Sequence, residues 1–70
     1  MDFSEALHKL KNHGHRVARS GWNGKGMHIH LIHNGSGVKR DYIEMFTADA
    51  EYVPWVASQT DLLADDWEIA

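Results

Sequence analysis

Two short segments of this chain combine a tryptophan with groups that can bind a phosphate or a sugar. The first is Gly21-Trp22-Asn23-Gly24-Lys25-Gly26. Its glycines let backbone N–H groups approach an anion, Lys25 adds positive charge, and Trp22 offers a flat face to a base. It matches neither a phosphate-binding P-loop nor a dinucleotide fingerprint. Because Asn23-Gly24 is a typical hairpin dipeptide, a purely structural turn explains this segment better when it is considered alone.

The second segment places Trp55 shortly before a predicted helix start, and this combination favours a binding site. Ser58 is the expected helix cap, and Asp61 follows three residues later beside the helix N-terminus. Aromatic stacking next to helix-end N–H donors and hydroxyl groups suits a nucleotide-like ligand. Its base would lie on the tryptophan, its phosphate on the donors and its ribose on an Asp or Asn side chain.

Other groups of residues that could form a catalytic or metal-binding site have less support in the sequence. No nucleophile, base and orienting group follow a known local signature, and Ser58 is better explained as a helix cap. An acidic cluster near the C-terminus lacks the alternating oxygen ligands and the central glycine of a calcium loop. We therefore expect a solvated helix end in this cluster, which consists of Asp61, Asp65, Asp66 and Glu68.

Four of the six histidines occur in pairs two residues apart, His13 with His15 and His28 with His30. On a strand this spacing points both side chains to one face, so His28 and His30 can share a metal ion. A firm zinc site needs three or four ligands of fixed geometry, and two imidazoles are too few. Structural histidine is the better interpretation, and no metal site is predicted. Protonation below about pH 6.5 should still make the protein pH-sensitive.

Length and composition predict one small domain, residues 1–70, that depends on self-association. A chain of 70 residues buries only about 60% of its unfolded surface. It has no cysteine, so neither disulfides nor a thiolate zinc site support the fold. Its 43% hydrophobic content is too high for disorder. No apolar run reaches the roughly 18 residues of a membrane span, and no signal peptide is recognised, so we expect a cytoplasmic protein without membrane contact.

The charges are strongly segregated along the chain, although the net charge is only −3. Residues 6–40 contain all seven basic residues and all six histidines but no acid, whereas residues 41–70 contain eight acids and neither Lys nor Arg. The two halves can pair with each other across a sheet or a subunit contact. The basic half can also line a site for an anionic ligand. A DNA-binding surface is not expected, because nearby acids would weaken the attraction to phosphates.

The N-terminal residues predict an amphipathic helix at about residues 3–13. Asp2 followed by Glu5 resembles a capping box, and Gly14 stands where a helix would end in a left-handed residue. The helical period of the apolar residues predicts a stripe that faces the core, formed by Phe3, Ala6, Leu7 and Leu10.

After the helix, the sequence alternates as strands do. The second predicted strand places Met27, Ile29 and Leu31 on the face that receives the helix. Pro54 cannot donate a ladder hydrogen bond, which predicts an edge or a bulge in the fourth strand. A hairpin turn is expected at Asn34-Gly35-Ser36-Gly37. The predicted strands cover residues 16–19, 27–32, 42–47, 52–56 and 67–69, and a short helix runs from Ser58 to residue 65 or 66.

These elements predict an α+β fold: an N-terminal amphipathic helix packed on an antiparallel sheet of about five short strands, with a short helical turn before the last strand. Several strands carry large side chains on both faces. Tyr42 and Phe46 oppose Ile43 and Met45 on the third strand. One helix covers one face only, so we expect the other face to meet another subunit.

At its two tryptophan segments the chain also resembles a known family. The matching motifs are Val17-Ala18-Arg19-Ser20-Gly21-Trp22-Asn23-Gly24-Lys25-Gly26-Met27, then Tyr42-Ile43-Glu44-Met45, then Tyr52-Val53-Pro54-Trp55, and finally Ser58-Gln59-Thr60-Asp61 through Asp65-Asp66-Trp67-Glu68-Ile69. Together with the N-terminal helix they resemble the second Thoeris anti-defence family of small phage and prophage proteins. The resemblance covers almost the whole chain apart from residues 33–40.

The resemblance implies a sponge in the host bacterial cytoplasm that needs no cofactor and is not an enzyme. Members of the family bind a cyclic ADP-ribose isomer, the alarm signal of Thoeris immunity, and withhold it from its effector. Some members also take up cyclic dinucleotides at a different site. The family assembles as a homotetramer with pockets between subunits, which agrees with the self-association expected from chain length.

Carried over position by position, the resemblance places Trp22, Asn23 and Lys25 near the ligand. Trp67 shares a strand face with Ile69 and can belong to the pocket or to the core, and Phe3 fits the core better. The remaining expected ligand-binding residues are Trp55, Ser58, Gln59, Thr60 and Asp61.

Two other functions stay open at this point. A phage protein of this size can inhibit a host protein through an apolar face, which predicts a stable protein complex and no retained nucleotide. A small hydrolase of nucleotide signals, supported only by the histidines, predicts turnover of the signal. We rank the sponge first and the protein inhibitor second.

Overall fold

The N-terminal helix α1 spans Phe3–His13 in the computed structural model, as predicted. The carboxylate of Asp2 accepts a hydrogen bond from the Glu5 backbone N–H at 2.9 Å and so caps the first turn. Gly14 ends the helix in the left-handed region with φ of 64°, a conformation that glycine adopts without steric cost. The structure describes residues 1–22, 25–34 and 40–70.

Five antiparallel strands form a single sheet in the order β4-β3-β2-β1-β5, which confirms the predicted α+β fold. The strands are β1 (Val17–Arg19), β2 (His28–Ile32), β3 (Tyr42–Phe46), β4 (Tyr52–Pro54) and β5 (Trp67–Ile69). A 3-10 turn at Ser20–Trp22 follows β1, and a short helix α2 at Gln59–Leu63 precedes β5.

β1, β2 and β3 are each one residue shorter at one end than predicted, and the largest differences from the prediction are at the ends of β4 and α2. β4 ends at Pro54 rather than at residue 56, and it is an edge strand, as the proline predicted. α2 ends at Leu63, because Ala64 turns to an extended conformation and its N–H bonds to the Asp61 carbonyl at 3.4 Å. The predicted turn Gly35-Ser36-Gly37 and the dipeptide Asn23-Gly24 lie outside the described residues.

The core lies between α1 and one face of the sheet. Val17 and Ile29 are opposite each other on β1 and β2, and both are fully buried. They pack with Ala6 and Leu10 of α1 and with Trp67 of β5. Ile29 therefore faces the helix, as the alternation of the second strand predicted.

The sheet face turned away from α1, here called the open face, is rich in aromatic and imidazole rings. His28 stacks on Phe46 with ring centres 5.2 Å apart, and only 8% of His28 is exposed. Phe46 contacts Tyr52 of β4 at 5.0 Å. No partner chain tests the expectation that this face meets another subunit, which stays a prediction. Within the described ranges, no helix is long and apolar enough to cross a membrane.

Candidate ligand-binding site

The two tryptophan segments meet in one aromatic cluster, formed by Phe3, Trp22, Trp55 and Trp67. Trp67 is its centre: its ring lies 5.3 Å from Phe3, 5.3 Å from Trp22 and 6.0 Å from Trp55. Phe3 also contacts Trp55 at 5.7 Å. Residues that are far apart in the sequence are thus brought together by α1, the turn after β1 and the segment after β4.

Within the aromatic cluster, Trp67 is a core residue. Only 2% of it is exposed, and its indole Nε1–H donates a hydrogen bond to the Asp61 carbonyl at 3.0 Å. Trp22 and Trp55 are half-buried against it. Trp67 therefore forms the wall of this region, while Trp22 and Trp55 keep ring surface that a ligand can reach.

Arg19 links the two tryptophan segments through a pair of carboxylates. Its Nε donates to Asp66 Oδ1 at 2.8 Å, and its Nη1 donates to Asp61 Oδ1 at 2.9 Å. Asp61 belongs to α2, and Asp66 immediately precedes β5. The guanidinium therefore connects the end of β1 with both α2 and the start of the last strand.

Asp66 also fixes the turn that carries Trp22. Its Oδ2 accepts a hydrogen bond from the Gly21 backbone N–H at 3.0 Å and one from the Ser20 hydroxyl at 3.3 Å. A methyl group at position 21 would approach the same oxygen to 3.1 Å, so the small size of Gly21 permits this close contact. The position of Trp22 thus depends on a carboxylate distant in the sequence.

The expectation that the C-terminal acids form a solvated helix end is wrong for Asp61 and Asp66. Their side chains are only 15% and 28% exposed because both bind Arg19. The segregated charges pair within the chain at this point, which was one of the two alternatives that the sequence left open. Sequence reasoning missed Arg19, since no local pattern marks which of seven basic residues is paired across the fold.

The hydrogen bond from Arg19 holds the pKa of Asp66 below its usual value, and the Gly21 N–H adds to the effect. The two carboxylates in turn raise the already high pKa of Arg19. Arg19 and Asp66 therefore stay ionised at neutral pH.

The predicted residues at the start of α2 have different roles. The Ser58 hydroxyl accepts a hydrogen bond from the Asp61 N–H at 3.1 Å, which confirms it as the helix cap. Gln59 and Thr60 are exposed in the first turn of the helix. Lys25 is exposed too, whereas Asn23 lies outside the described residues. The structure thus brings Asp61 to the aromatic cluster and leaves Gln59, Thr60 and Lys25 at the surface.

A groove of about 550 Å³ adjoins the aromatic cluster and runs onto the open face. Trp22 is the predicted ligand-binding residue that lines it, together with Arg16, His28, Phe46 and Tyr52. This volume is within the usual range for a small-molecule site. No local pattern in the sequence predicts the groove, because its lining comes from all five strands and their pairing is not evident locally.

Replacing Arg19 with alanine is expected to lower the melting temperature by about 4–8 °C, because Asp61 and Asp66 lose their shared partner. Arg19→Lys should recover only part of this loss, since an ammonium group lacks the planar fork that bridges two carboxylates. Arg16→Ala, at an exposed position of the same segment, is the control. Thermal unfolding followed by circular dichroism measures all three. An unchanged melting temperature in Arg19→Ala would show that the network does not stabilise the fold.

Asp66→Asn is expected to flatten the acid dependence of stability. The carboxylate has a lower pKa in the folded chain than its usual 3.8. The stabilisation of the folded chain by ionised Asp66 is therefore complete above the unfolded-state pKa. It is lost as the pH falls through the folded-state pKa. Melting temperatures between about pH 2 and pH 6 measure this slope. Asp65→Asn, at the exposed neighbouring position, should keep the wild-type slope, and equal slopes in both variants would refute the assignment.

Comparisons with known proteins match the whole chain to one family. A family model described as the Thoeris anti-defense 2-like domain matches residues 1–70. The chain is also similar to the protein named Thoeris anti-defense 2 of Bacillus phage SP01. The two are 40% identical over 85 residues, which cover 99% of this chain and 93% of that protein.

Proposed function

The chain belongs to the Thoeris anti-defense 2-like family, and we propose that it is a sponge for a cyclic ADP-ribose isomer. In this proposal it binds the immune signal, withholds it from the Thoeris effector and does not degrade it. Membership of the family supports the phage anti-defence role. The observation that supports this choice of ligand is the contact of Trp22 and Trp55 with the buried Trp67.

The adenine base of such a ligand fits the half-buried rings of Trp22 and Trp55. Stacking of a base on an aromatic side chain contributes about 1–3 kcal/mol. Both rings are held before any ligand arrives, because Trp67 is anchored through its Nε1–H and the Trp22 turn is held by Asp66. A preformed site lowers the entropy lost on binding and so favours high affinity.

The anionic part of the ligand fits the side of the site away from Asp66. Two carboxylates share the single guanidinium of Arg19, so the network keeps a net negative charge. A pyrophosphate is repelled there and attracted to Lys25 and to Arg16 in the groove. Asp61 commits Oδ1 to Arg19, and its second oxygen can accept a ribose hydroxyl. The other proposed polar contacts are Asn23, Ser58, Gln59 and Thr60.

Binding without catalysis agrees with the ionisation of Asp66. Asp66 is kept ionised by Arg19 and cannot supply a proton near neutral pH. A sponge requires affinity for the ground state, whereas an enzyme must bind the transition state more tightly. We therefore propose no catalytic residue and no cofactor.

We also propose that the chain works as a homotetramer with ligand pockets between subunits. The open face exposes aromatic surface, including Tyr52, which is 58% exposed. Beside and on α2, Val56 and Leu63 are 88% and 84% exposed. A small monomer seldom exposes this much large apolar surface. A second copy would cover it and would add surface to a site that is open within one chain.

Calorimetric titration tests the ligand and its specificity together. The cyclic ADP-ribose isomer should bind with submicromolar affinity, and linear ADP-ribose should bind at least about tenfold more weakly, because a preformed site discriminates against the flexible ligand. A cyclic dinucleotide added to the saturated protein reports whether a separate site takes that second ligand class. Absence of heat with the cyclic isomer, or equal affinity for the linear form, would contradict the proposal.

A second candidate function is inhibition of a host protein by direct binding. The exposed side chains of Val56, Leu62 and Leu63 favour it, since they offer an apolar contact surface at α2. This function predicts a stable protein complex and no retained nucleotide. Leu63→Glu should then abolish formation of the protein complex. Loss of nucleotide binding in the same variant would instead favour the proposed contact between subunits of the sponge.

A further inference from the structure

Two histidines on the open face each have one ring nitrogen engaged with a hydrogen-bond acceptor. Nδ1 of His28 lies 2.9 Å from the Gly26 carbonyl oxygen. A carbonyl oxygen only accepts, so Nδ1 carries the proton and, in the neutral ring, Nε2 presents a lone pair. The ring is held further by its stacking on Phe46.

His30 is held in a similar way by a carboxylate. Its Nε2 lies 3.0 Å from Glu44 Oε1. The Tyr42 hydroxyl donates to Glu44 Oε2 at 3.2 Å, and burial, with this hydrogen bond, raises the pKa of Tyr42, so Tyr42 remains a donor. Glu44 therefore acts as an acceptor toward His30. The Nδ1 of the neutral His30 ring is left with its lone pair.

The two rings lie side by side on one surface. His28 and His30 alternate with the buried Ile29 on β2, their ring centres are 5.7 Å apart, and both line one pocket of about 460 Å³. Two imidazoles that bind one ion at about 2.0–2.1 Å place their ring centres roughly 5 Å apart. The observed separation of 5.7 Å is slightly longer than this value.

We propose that His28 and His30 form a binding site for a divalent transition-metal ion, with Nε2 of His28 and Nδ1 of His30 as its protein ligands. Metal-ligating histidines typically donate their other N–H to a carbonyl or a carboxylate, which orients the ring and raises its basicity. Gly26 and Glu44 have these two roles here. The hydrogen-bond partners thus distinguish this pair from two histidines that are merely neighbours.

The ligand set selects the class of metal. Imidazole nitrogen suits Zn²⁺, Ni²⁺ and Cu²⁺, whereas Mg²⁺ and Ca²⁺ require oxygen ligands. In the described parts of the chain, no group of three or more His, Asp or Glu side chains is arranged to hold a metal. The site therefore has two protein ligands and water in the other positions. It is an exchangeable site and not the firm zinc site with three or four protein ligands that the sequence argued against. Arg16 lines the same pocket and repels a metal ion, and the negative charge of Glu44 offsets part of this repulsion.

A second histidine cluster, formed by His8, His13 and His15, provides the internal comparison. Its ring centres are 5.3 and 5.8 Å apart. The contact of His8 Nδ1 is with the amide of Asn12. Burial and the neighbouring Lys9 lower the pKa of His13, which shows a cationic setting around it. This cluster lacks a carboxylate partner among its described contacts, so we expect it to bind metal more weakly.

Zinc titration of the full, untagged chain, without nucleotide, tests the site. One Zn²⁺ per chain should bind, His30→Asn should weaken binding at least about tenfold, and Glu44→Gln should weaken it by roughly tenfold. The matched control replaces His8, His13 and His15 with asparagine and should change the affinity by less than about twofold, because these side chains are outside the site. Unchanged affinity in His30→Asn, or loss in the control, would overturn the proposal.

Imidazole nitrogen NMR on the wild-type chain tests the same proposal without relying on the folding of a variant. Before zinc is added, the spectrum should show the Nδ1–H tautomer of His28 and the Nε2–H tautomer of His30. Zinc should then shift the His28 Nε2 and His30 Nδ1 signals. Opposite tautomers, shifts confined to the His8, His13 and His15 cluster, or no zinc-dependent shift would each contradict it.

Discussion

Trp55→Ala is expected to weaken binding of the cyclic ADP-ribose isomer by roughly 5- to 150-fold while leaving the mass of the assembly unchanged. Trp55 is half-buried against Phe3 and Trp67, with ring centres 5.7 and 6.0 Å away, and keeps ring surface for a ligand. Removing one stacking partner costs about 1–3 kcal/mol, which corresponds to roughly 5- to 150-fold in affinity. Calorimetry measures the affinity, and analytical ultracentrifugation measures the mass.

Two variants show whether this effect is specific to the ring. Trp55→Phe keeps an aromatic face and should retain most of the affinity. Glu51→Ala changes an exposed residue that is outside the aromatic cluster and outside the proposed subunit contact, and should bind as the wild type does. If Trp55→Ala binds the cyclic isomer with unchanged affinity, Trp55 is not part of the site.

Trp67→Ala is expected to cause a large loss of stability, about 3–5 kcal/mol in the free energy of unfolding. Trp67 is the largest fully buried side chain and contacts three other aromatic rings. Small domains are stable by only about 5–15 kcal/mol, so a substantial part of the margin would be lost. Urea unfolding followed by circular dichroism measures the change.

Trp67→Phe separates packing from hydrogen bonding at this position. It retains a ring in the core but removes the hydrogen bond from the indole N–H to the Asp61 carbonyl. Because this carbonyl still accepts from the Ala64 N–H, a loss of about 0.5–1.5 kcal/mol is expected. The loss should thus be smaller than in Trp67→Ala. A loss below about 1 kcal/mol in Trp67→Ala would show that the aromatic cluster does not support the fold.

Local patterns in the sequence were sufficient to predict most of the elements. The apolar stripe and the residues Asp2 and Gly14 predicted α1 with its observed ends. Ser58 predicted the start of α2, and Pro54 predicted an edge strand. These signals succeed because helix caps, periodicity and proline act through neighbours in the sequence.

The site itself depends on contacts that local patterns do not contain. Arg19 binds Asp61 and Asp66 across the fold, and only the pairing of β1 with β5 brings these groups together. For the same reason the sequence left Trp67 open between pocket and core, and its burial places it in the core. The groove on the open face likewise requires the register of several strands.

Recovery of the signal from the protein tests the proposed function most directly. Signal from an activated Thoeris synthase is mixed with the purified chain, unbound molecules are removed by filtration, the protein is denatured by heat, and mass spectrometry identifies what is released. A sponge depletes the cyclic isomer from the filtrate and releases it intact. Signal that stays in the filtrate, or that is recovered only as a linear product, would contradict the proposed function.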